Sequence, residues 1–226
     1  MSHPLDRPAW SALTGRQSVF AVAQGAARRF SPEYGLFAAA PDDEAESLAD
    51  LAALVAAHGD VGLVEVEPPP PIPGLAVRST ALCWQMVAPE PNAVGEPAFA
   101  FEELTDADAP QMLALATLTA PGPFFSHTHK LGRFVGVKQD GQLIAMAGER
   151  MRLPGHTEVS GVCTHPDYRG RGYAAGLMLH VAARIRERGE IPFLHSYAHN
   201  TGANALYQAL GFDCRREVVL TILTRS

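Results

Sequence analysis

The sequence predicts an α/β protein built on a mixed sheet, and three observations predict it. Asp140-Gly141 separates two apolar runs, the signal of a tight antiparallel hairpin. Residues 157–188 read as a strand, a basic glycine loop and a long amphipathic helix. A further strand, helix and strand follow, and such units bring strands together in parallel. Hairpin and crossover in one chain make the sheet mixed.

The elements follow in order. Residues 42–58 begin acidic, space apolar side chains at Leu48, Leu51, Leu54 and Val55, and end at Gly59, as a capped helix does. Residues 61–66 alternate like a strand, and residues 75–87 read as another. Between them, the prolines at 68–71 and 73 make a stiff extended loop. Residues 89–97 read as a linker, so the chain divides near residue 95 into an N-terminal α/β region (1–95) and a second domain (96–226). In the second domain, residues 98–104 form a strand. Thr105 caps a helix with Asp108 three positions on, and that helix carries Met112, Leu113, Leu115 and Leu118 until the prolines at 121 and 123 stop it. Residues 124–131 read as a short irregular or helical segment. Residues 134–138 and 143–153 are the hairpin strands, and 157–164 is the next strand. A long helix starts near Arg171 and ends with Arg184, Arg186 and Arg188 before Gly189, cations that suit the negative end of its dipole. Residues 192–198 are a strand, 201–210 a helix and 215–223 a closing strand.

Composition narrows the function classes. The 226-residue chain is long enough for a real core, and its formal charge of −6 gives no general basic field for nucleic acid. No apolar run reaches the roughly 18 residues that cross a bilayer. The first ten residues lack a basic stretch followed by an apolar core, so no secretory signal is expected there. Cys83, Cys163 and Cys214 are odd in number and scattered, which suits reduced thiols in a cytoplasmic protein.

An anionic ligand must therefore be gripped locally, and residues 168–175 can do it. Gly170 and Gly172 let backbone approach a ligand with no Cβ between. The first N–H groups of the next helix have no partner within the helix, and its dipole favours negative charge there. Arg169 and Arg171 add positive charge, while Ala174, Leu177, Met178, Val181 and Ile185 form the face that seats the helix on the sheet. Alone, this is a basic helix start after a turn. With Gly170, Gly172 and Ala175 it also partly fits a dinucleotide fingerprint. That fingerprint, however, belongs on a first strand with an acidic residue about 20 positions on. Here the loop comes late, after a hairpin. No Gly-Lys-Ser/Thr follows, against a kinase-type phosphate loop. A second constellation lies about 30 residues on. Asn200 and Tyr207 are two helical turns apart and so share a face, and Gly211-Phe212 follow.

Together, these motifs resemble those of the GNAT superfamily of acetyl-CoA-dependent N-acetyltransferases, over residues 98 to about 225. Arg169, Gly172 and Ala174 match the family's R/Q-x-x-G-x-G/A loop, and Asn200, Tyr207, Gly211 and Phe212 match its second pattern. The first 95 residues carry no such match; they could be a degenerate half-copy of the same fold or a lid. The resemblance implies a GNAT-like acyltransferase fold with this additional N-terminal α/β region. It implies that the strand ending at Val162, Cys163 and Thr164 splays from its neighbour and takes the pantetheine arm as a pseudo-strand, with the Val162 N–H polarising the acetyl carbonyl. Arg169, Gly170, Arg171, Gly172, Tyr173 and Ala174 would hold the pyrophosphate, and Asn200 the pantetheine amides. Tyr207, with a reference pKa of about 10, would protonate the departing thiolate.

The acceptor amine needs the opposite help. An alkyl amine with a pKa of about 10.4 lies some three units from neutral at pH 7.4, roughly 4 kcal/mol. Glu158 is the first candidate base, four residues before Val162 on one strand and so expected on the same face. Glu149 is the second, and water a third. A solvent-facing strand carboxylate is the plainer reading of either glutamate. Phe124, Phe125 and His127 lie where the family shapes its acceptor pocket, though a hydrophobic core explains the phenylalanines as well. His127 and His129, and His195 and His199, have spacings that invite a metal, but no cysteine or carboxylate cluster joins them and no metal is expected. Cys163 has no histidine–carboxylate pair beside it in the sequence and is read as a strand residue. The resemblance thus implies an N-acetyltransferase that moves an acetyl group from acetyl-CoA directly to an amine, with acetyl-CoA as co-substrate. The acceptor is expected to be a small molecule, or else a peptide. No nucleic-acid or membrane partner is expected, and a homodimer is compatible with the sequence. The competing readings are a CoA-binding sensor without catalysis and a protein or peptide N-acetyltransferase.

Overall fold

The computed structural model describes residues 3–92 and 99–226. The N-terminal part forms a short helix α1 (Pro8–Leu13), strands β1 (Ala21–Gln24), β2 (Ala27–Phe30) and β3 (Ala38–Ala39), helix α2 (Ala45–His58), and strands β4 (Val61–Glu65) and β5 (Leu75–Val87). The rest forms β6 (Glu102–Leu104), α3 (Ala109–Thr119), β7 (Phe134–Gln139), β8 (Gln142–Leu153), β9 (His156–Thr164), α4 (Tyr173–Glu187), β10 (Ile191–Tyr197), α5 (Thr201–Ala209) and β11 (Asp213–Arg225).

The local reasons match the sequence. Leu48, Leu51, Leu54 and Val55 of α2 are all buried. Thr105 and Asp108 form a capping box that opens a 3-10 turn leading into α3. On α3, Met112 and Leu115 are buried while Leu118 stands exposed, so the inward stripe is narrower than expected. Asp140 and Gly141 both have positive φ, as a two-residue hairpin turn needs. On α4, Leu177, Met178, Val181, Ala182 and Ile185 are buried against the sheet.

Eight strands form one mixed sheet in the order β4-β11-β5-β10-β9-β8-β7-β6. The β9–β10 pair is parallel and all the other pairs are antiparallel. The division expected near residue 95 does not separate two sheets. β5 lies between β10 and β11, and β4 lies on the far side of β11, so the first 95 residues supply two of the eight strands. β1, β2 and β3 make a separate small sheet. Its Phe30, with Leu13 of α1 and Phe37, packs against Met151, Phe193 and Val218 on one face of the large sheet. α4 packs on the other face against Val135, Ala147, Val159 and Leu194. Residues 93–97 of the expected linker and Ala98 of the expected strand lie outside the described residues, and β6 begins at Glu102.

Candidate active site

Two features of β9 open the sheet. Its parallel pairing with β10 runs from Ile191–His156 to Phe193–Glu158 and stops there, while β10 stays paired to β5 as far as Tyr197. Beyond Glu158 the two strands splay. On the other side, the β8 register jumps between Gly148–Ser160 and Met146–Cys163, an extra residue in β9. Gly161 and Val162 therefore have no register partner on β8, and β10 has already left. Gly161 has φ +64, and a Cβ there would come within 2.8 Å of the Phe134 ring, so both backbone and packing require glycine.

The same bulge overturns one expectation. Glu158 and Val162 do not share a face, because the extra residue breaks the period of two. Val162 packs with Val159 on the α4 side, whereas Glu158 turns to the opposite side, toward Arg150 and His195.

The residues expected to hold the donor are gathered in one groove of about 740 Å³. It runs from Val162, Cys163 and Thr164 past Arg169, Gly170, Arg171, Gly172, Tyr173 and Ala174 to Asn200 and Tyr207. Gly172, at φ +79, is the N-cap of α4, and no side chain caps that end, so its leading N–H groups open into the groove. A Cβ on Gly170 would meet nothing within 4 Å, so the loop backbone faces free space. The Arg171 guanidinium lies 5.0 Å from the Tyr168 ring centroid. An unpaired strand edge, a helix start and two arginines in line form a donor set that fits an extended amide arm ending in a pyrophosphate. Asn200 spends its Oδ1 as the cap of α5, accepting from the Ala203 N–H at 3.3 Å. Burial raises the Tyr207 phenol above its ordinary pKa, so it stays protonated at neutral pH. Burial likewise pushes the Cys163 thiol up to about 11, which keeps it a thiol rather than a nucleophile.

A smaller cavity of about 90 Å³ joins this groove at Val162, Tyr197, Asn200 and Tyr207. Phe37, Val64 and Cys83 from the first half of the chain line it, together with Arg150, Ser160, His195 and Ser196. Pro121, Gly122 and Pro123 bound it as well. Beneath it runs a polar chain. Arg150 Nε and Nη2 donate to the two oxygens of Glu158 at 2.8 and 2.7 Å. His195 Nδ1 donates to Glu158 Oε1 at 2.8 Å, and His195 Nε2 accepts from Gln85 Nε2 at 3.2 Å. Arg215 then links Gln85 to Asp6 near the N-terminus.

Glu158 is fully buried and does not line the cavity. Burial alone would raise its pKa, but the Arg150 charge and fork, with the His195 bond, outweigh it and hold the carboxyl near 2. A carboxylate so held and outside the cavity is a poor proton acceptor, which argues against the base role expected of Glu158. Glu149 is also away from Tyr207. It pairs with Arg188 at 2.8 Å and lines a different cavity with Arg16, Arg133 and Arg152. Phe124 stacks edge-on to Phe134 in the core beside α3, and His127 packs on Tyr34. Phe125 alone of these lines a cavity next to the smaller one. Arg150, His195 and Tyr197 were not expected at the site. An arginine next to Glu149 in a buried strand and a histidine inside a strand were the available signals. Among the described residues, no three His, Cys, Asp or Glu side chains converge as metal ligands do, and no helix is long and apolar enough to cross a membrane.

The sequence profile of the FR47-like protein family matches residues 134–220. A protein from Novosphingobium aromaticivorans DSM 12444 assigned to the GNAT family of acetyltransferases is 48% identical; the match covers 100% of both chains, and its structure superposes with a TM-score of 0.89. A GCN5-related N-acetyltransferase from Kribbella flavida is 19% identical, covers 96% of this chain and 91% of its own, and has a TM-score of 0.60. A GCN5-related N-acetyltransferase-like protein from Streptococcus suis 89/1591 is 15% identical, covers 96% and 92%, and has a TM-score of 0.59. The last two extend the likeness in fold to the N-terminal region, where the sequence motifs are silent. No curated protein matches the sequence.

Proposed function

Because the chain belongs to the GNAT family of acetyltransferases, we propose that it moves an acetyl group from acetyl-CoA directly to the amine of a small molecule. The observation that carries this reading is the junction at Val162, Asn200 and Tyr207, where a long donor groove meets a cavity of about 90 Å³. A recess of this size opening off the groove beside Tyr207 suits a small acceptor better than a folded protein surface.

Acetyl-CoA would supply the acyl group as an activated thioester. Arg169, Arg171 and the open start of α4 would bind its pyrophosphate, and the free edge of β9 its amide arm. The Val162 N–H, at the bulge where β9 has no register partner on β8, would donate to the acetyl carbonyl where negative charge develops. Tyr207, protonated at neutral pH, would donate to the leaving sulfur. With Glu158 tied up by Arg150 and His195, the amine proton leaves to water at the cavity mouth. Cys163, a buried thiol, takes no covalent part. A cytoplasmic setting suits the free thiols, which are Cys83, Cys163 and Cys214.

The test is release of CoA thiol from acetyl-CoA in the presence of a panel of small amines, with the acetylated amine identified by mass. Saturable, amine-dependent release supports transfer. Tight acetyl-CoA binding with no turnover across the panel would point instead to a CoA sensor.

A further inference from the structure

The smaller cavity has an unusual electrostatic lining for a site that takes an amine. Among the described residues no Asp or Glu lines it, and the full charge that does is Arg150. The adjoining cavity, which shares Gly122, Pro123, Tyr197 and Leu220, carries Arg29 and Arg78. Its acidic residue there, Asp60, is ion-paired to Arg78. An ammonium group entering this space meets no free carboxylate, and an anion meets guanidinium N–H donors, those of Arg150 and Arg78 already charge-balanced by Glu158 and Asp60.

Arg150 is also held in a way that leaves a donor over. A guanidinium has five N–H donors. Glu158 takes one from Nε and one from Nη2. Nη1 makes no hydrogen bond among the described residues, yet it is not sealed away as a buried orphan. The plane of the guanidinium is fixed by Phe37, whose ring centroid lies 4.6 Å from Cζ. The arginine is therefore locked on one edge, and it lines the cavity with Nη1 left over as a donor.

We propose that Arg150 Nη1 anchors an oxyanion of the acceptor, so that the acceptor is a small amino acid or a close analogue: an amine with a carboxylate or similar anionic group a few atoms away. This rests on the acetyltransferase reading above. The arrangement also helps the chemistry. A carboxylate near an amine favours its ammonium form, and pairing that carboxylate with Arg150 removes the effect. The neutral, nucleophilic amine is then reached without a carboxylate base in the cavity.

The test compares acceptors that differ in charge alone. Glycine, alanine and phenylalanine are each assayed against the corresponding amide and decarboxylated amine, with aminomethylphosphonate as a second oxyanion. The expected result is a kcat/KM for at least one amino acid about tenfold to hundredfold above its amide, mostly through KM. That preference disappears in Arg150→Gln/Glu158→Gln, which removes both charges at once, and is partly restored in Arg150→Lys. Unchanged acetyl-CoA affinity and cooperative unfolding certify the variants. Equal or better turnover of the amides, or a preference that survives the double variant, overturns the anchor and leaves the acetyltransferase reading standing. A chain that binds acetyl-CoA but acetylates no member of the panel also overturns it. One that does not bind acetyl-CoA overturns both. Acetylation of the phosphonate in place of the amino acids would retain the anchor and reassign the oxyanion.

Discussion

Tyr207 and Glu158 were both expected to handle protons, and burial treats them in opposite ways. Tyr207 has no charged partner, so burial raises its pKa and keeps the proton an acid needs. Replacing it with Phe should lower kcat by about a hundredfold or more while acetyl-CoA affinity stays within a few fold. Steady-state rates and calorimetric binding check this, and unimpaired turnover would remove Tyr207 as the acid. Glu158 is held by Arg150 and His195, which overcome burial and bring its pKa down from 4.5 to about 2. A folded-state pKa below the unfolded one adds stability that is present above pH 4.5 and lost as pH falls toward 2. Glu158→Gln should therefore flatten that part of the acid-unfolding curve. At neutral pH it should cost roughly 3–5 kcal/mol, because Arg150 is left buried without its partner. Urea unfolding from pH 7 down to pH 3 measures both. A variant as stable as the parent at neutral pH would mean that the ion pair is solvated rather than buried. The residues that line the long groove were legible because loop and helix motifs are local. The partners of Glu158 were not, because Arg150 sits on the neighbouring strand and His195 on another, 37 residues away.

At the scale of the element, the β9 strand decides where the site opens. Strict alternation placed Glu158 and Val162 on one face, and a single extra residue at the Gly161 bulge put them on two. Nothing in the residue pattern of 156–164 announces a bulge except the glycine itself. Gly161→Ala would force a Cβ into positive-φ backbone and onto the Phe134 ring. A loss of about 1–3 kcal/mol is expected, with weaker acetyl-CoA binding as the splay shifts. Thermal unfolding and a binding isotherm report the two effects, and a neutral outcome in both would show that the bulge does not set the opening. Helices were read well because caps and apolar spacing are near-neighbour properties. α2, α4 and α5 begin within three residues of their expected starts.

For the whole molecule, pairing at long range was the part hidden from the sequence. The strands at 61–65 and 75–87 were visible as strands, but their neighbours β10 and β11 lie more than a hundred residues on. The expected division near residue 95 followed from composition, and composition does not report register. Phe37, Val64 and Cys83 reach the smaller cavity from the first half of the chain, so both halves line the candidate site. Deleting residues 1–95 would strip β5 from between β10 and β11 and expose the apolar face that Phe30 and Leu13 cover. The truncated chain should show no cooperative thermal transition by circular dichroism. A folded, active fragment would contradict the continuous sheet.

Direct transfer at the Val162–Tyr207 junction is the central claim, and initial-rate kinetics test it most directly. CoA release is measured against acetyl-CoA at several fixed concentrations of an active amine. Double-reciprocal lines should intersect, because donor and acceptor occupy the joined groove and cavity together. No acetyl group should be found on the protein after incubation with acetyl-CoA alone. Parallel lines, with acetyl recovered on Cys163, would contradict it.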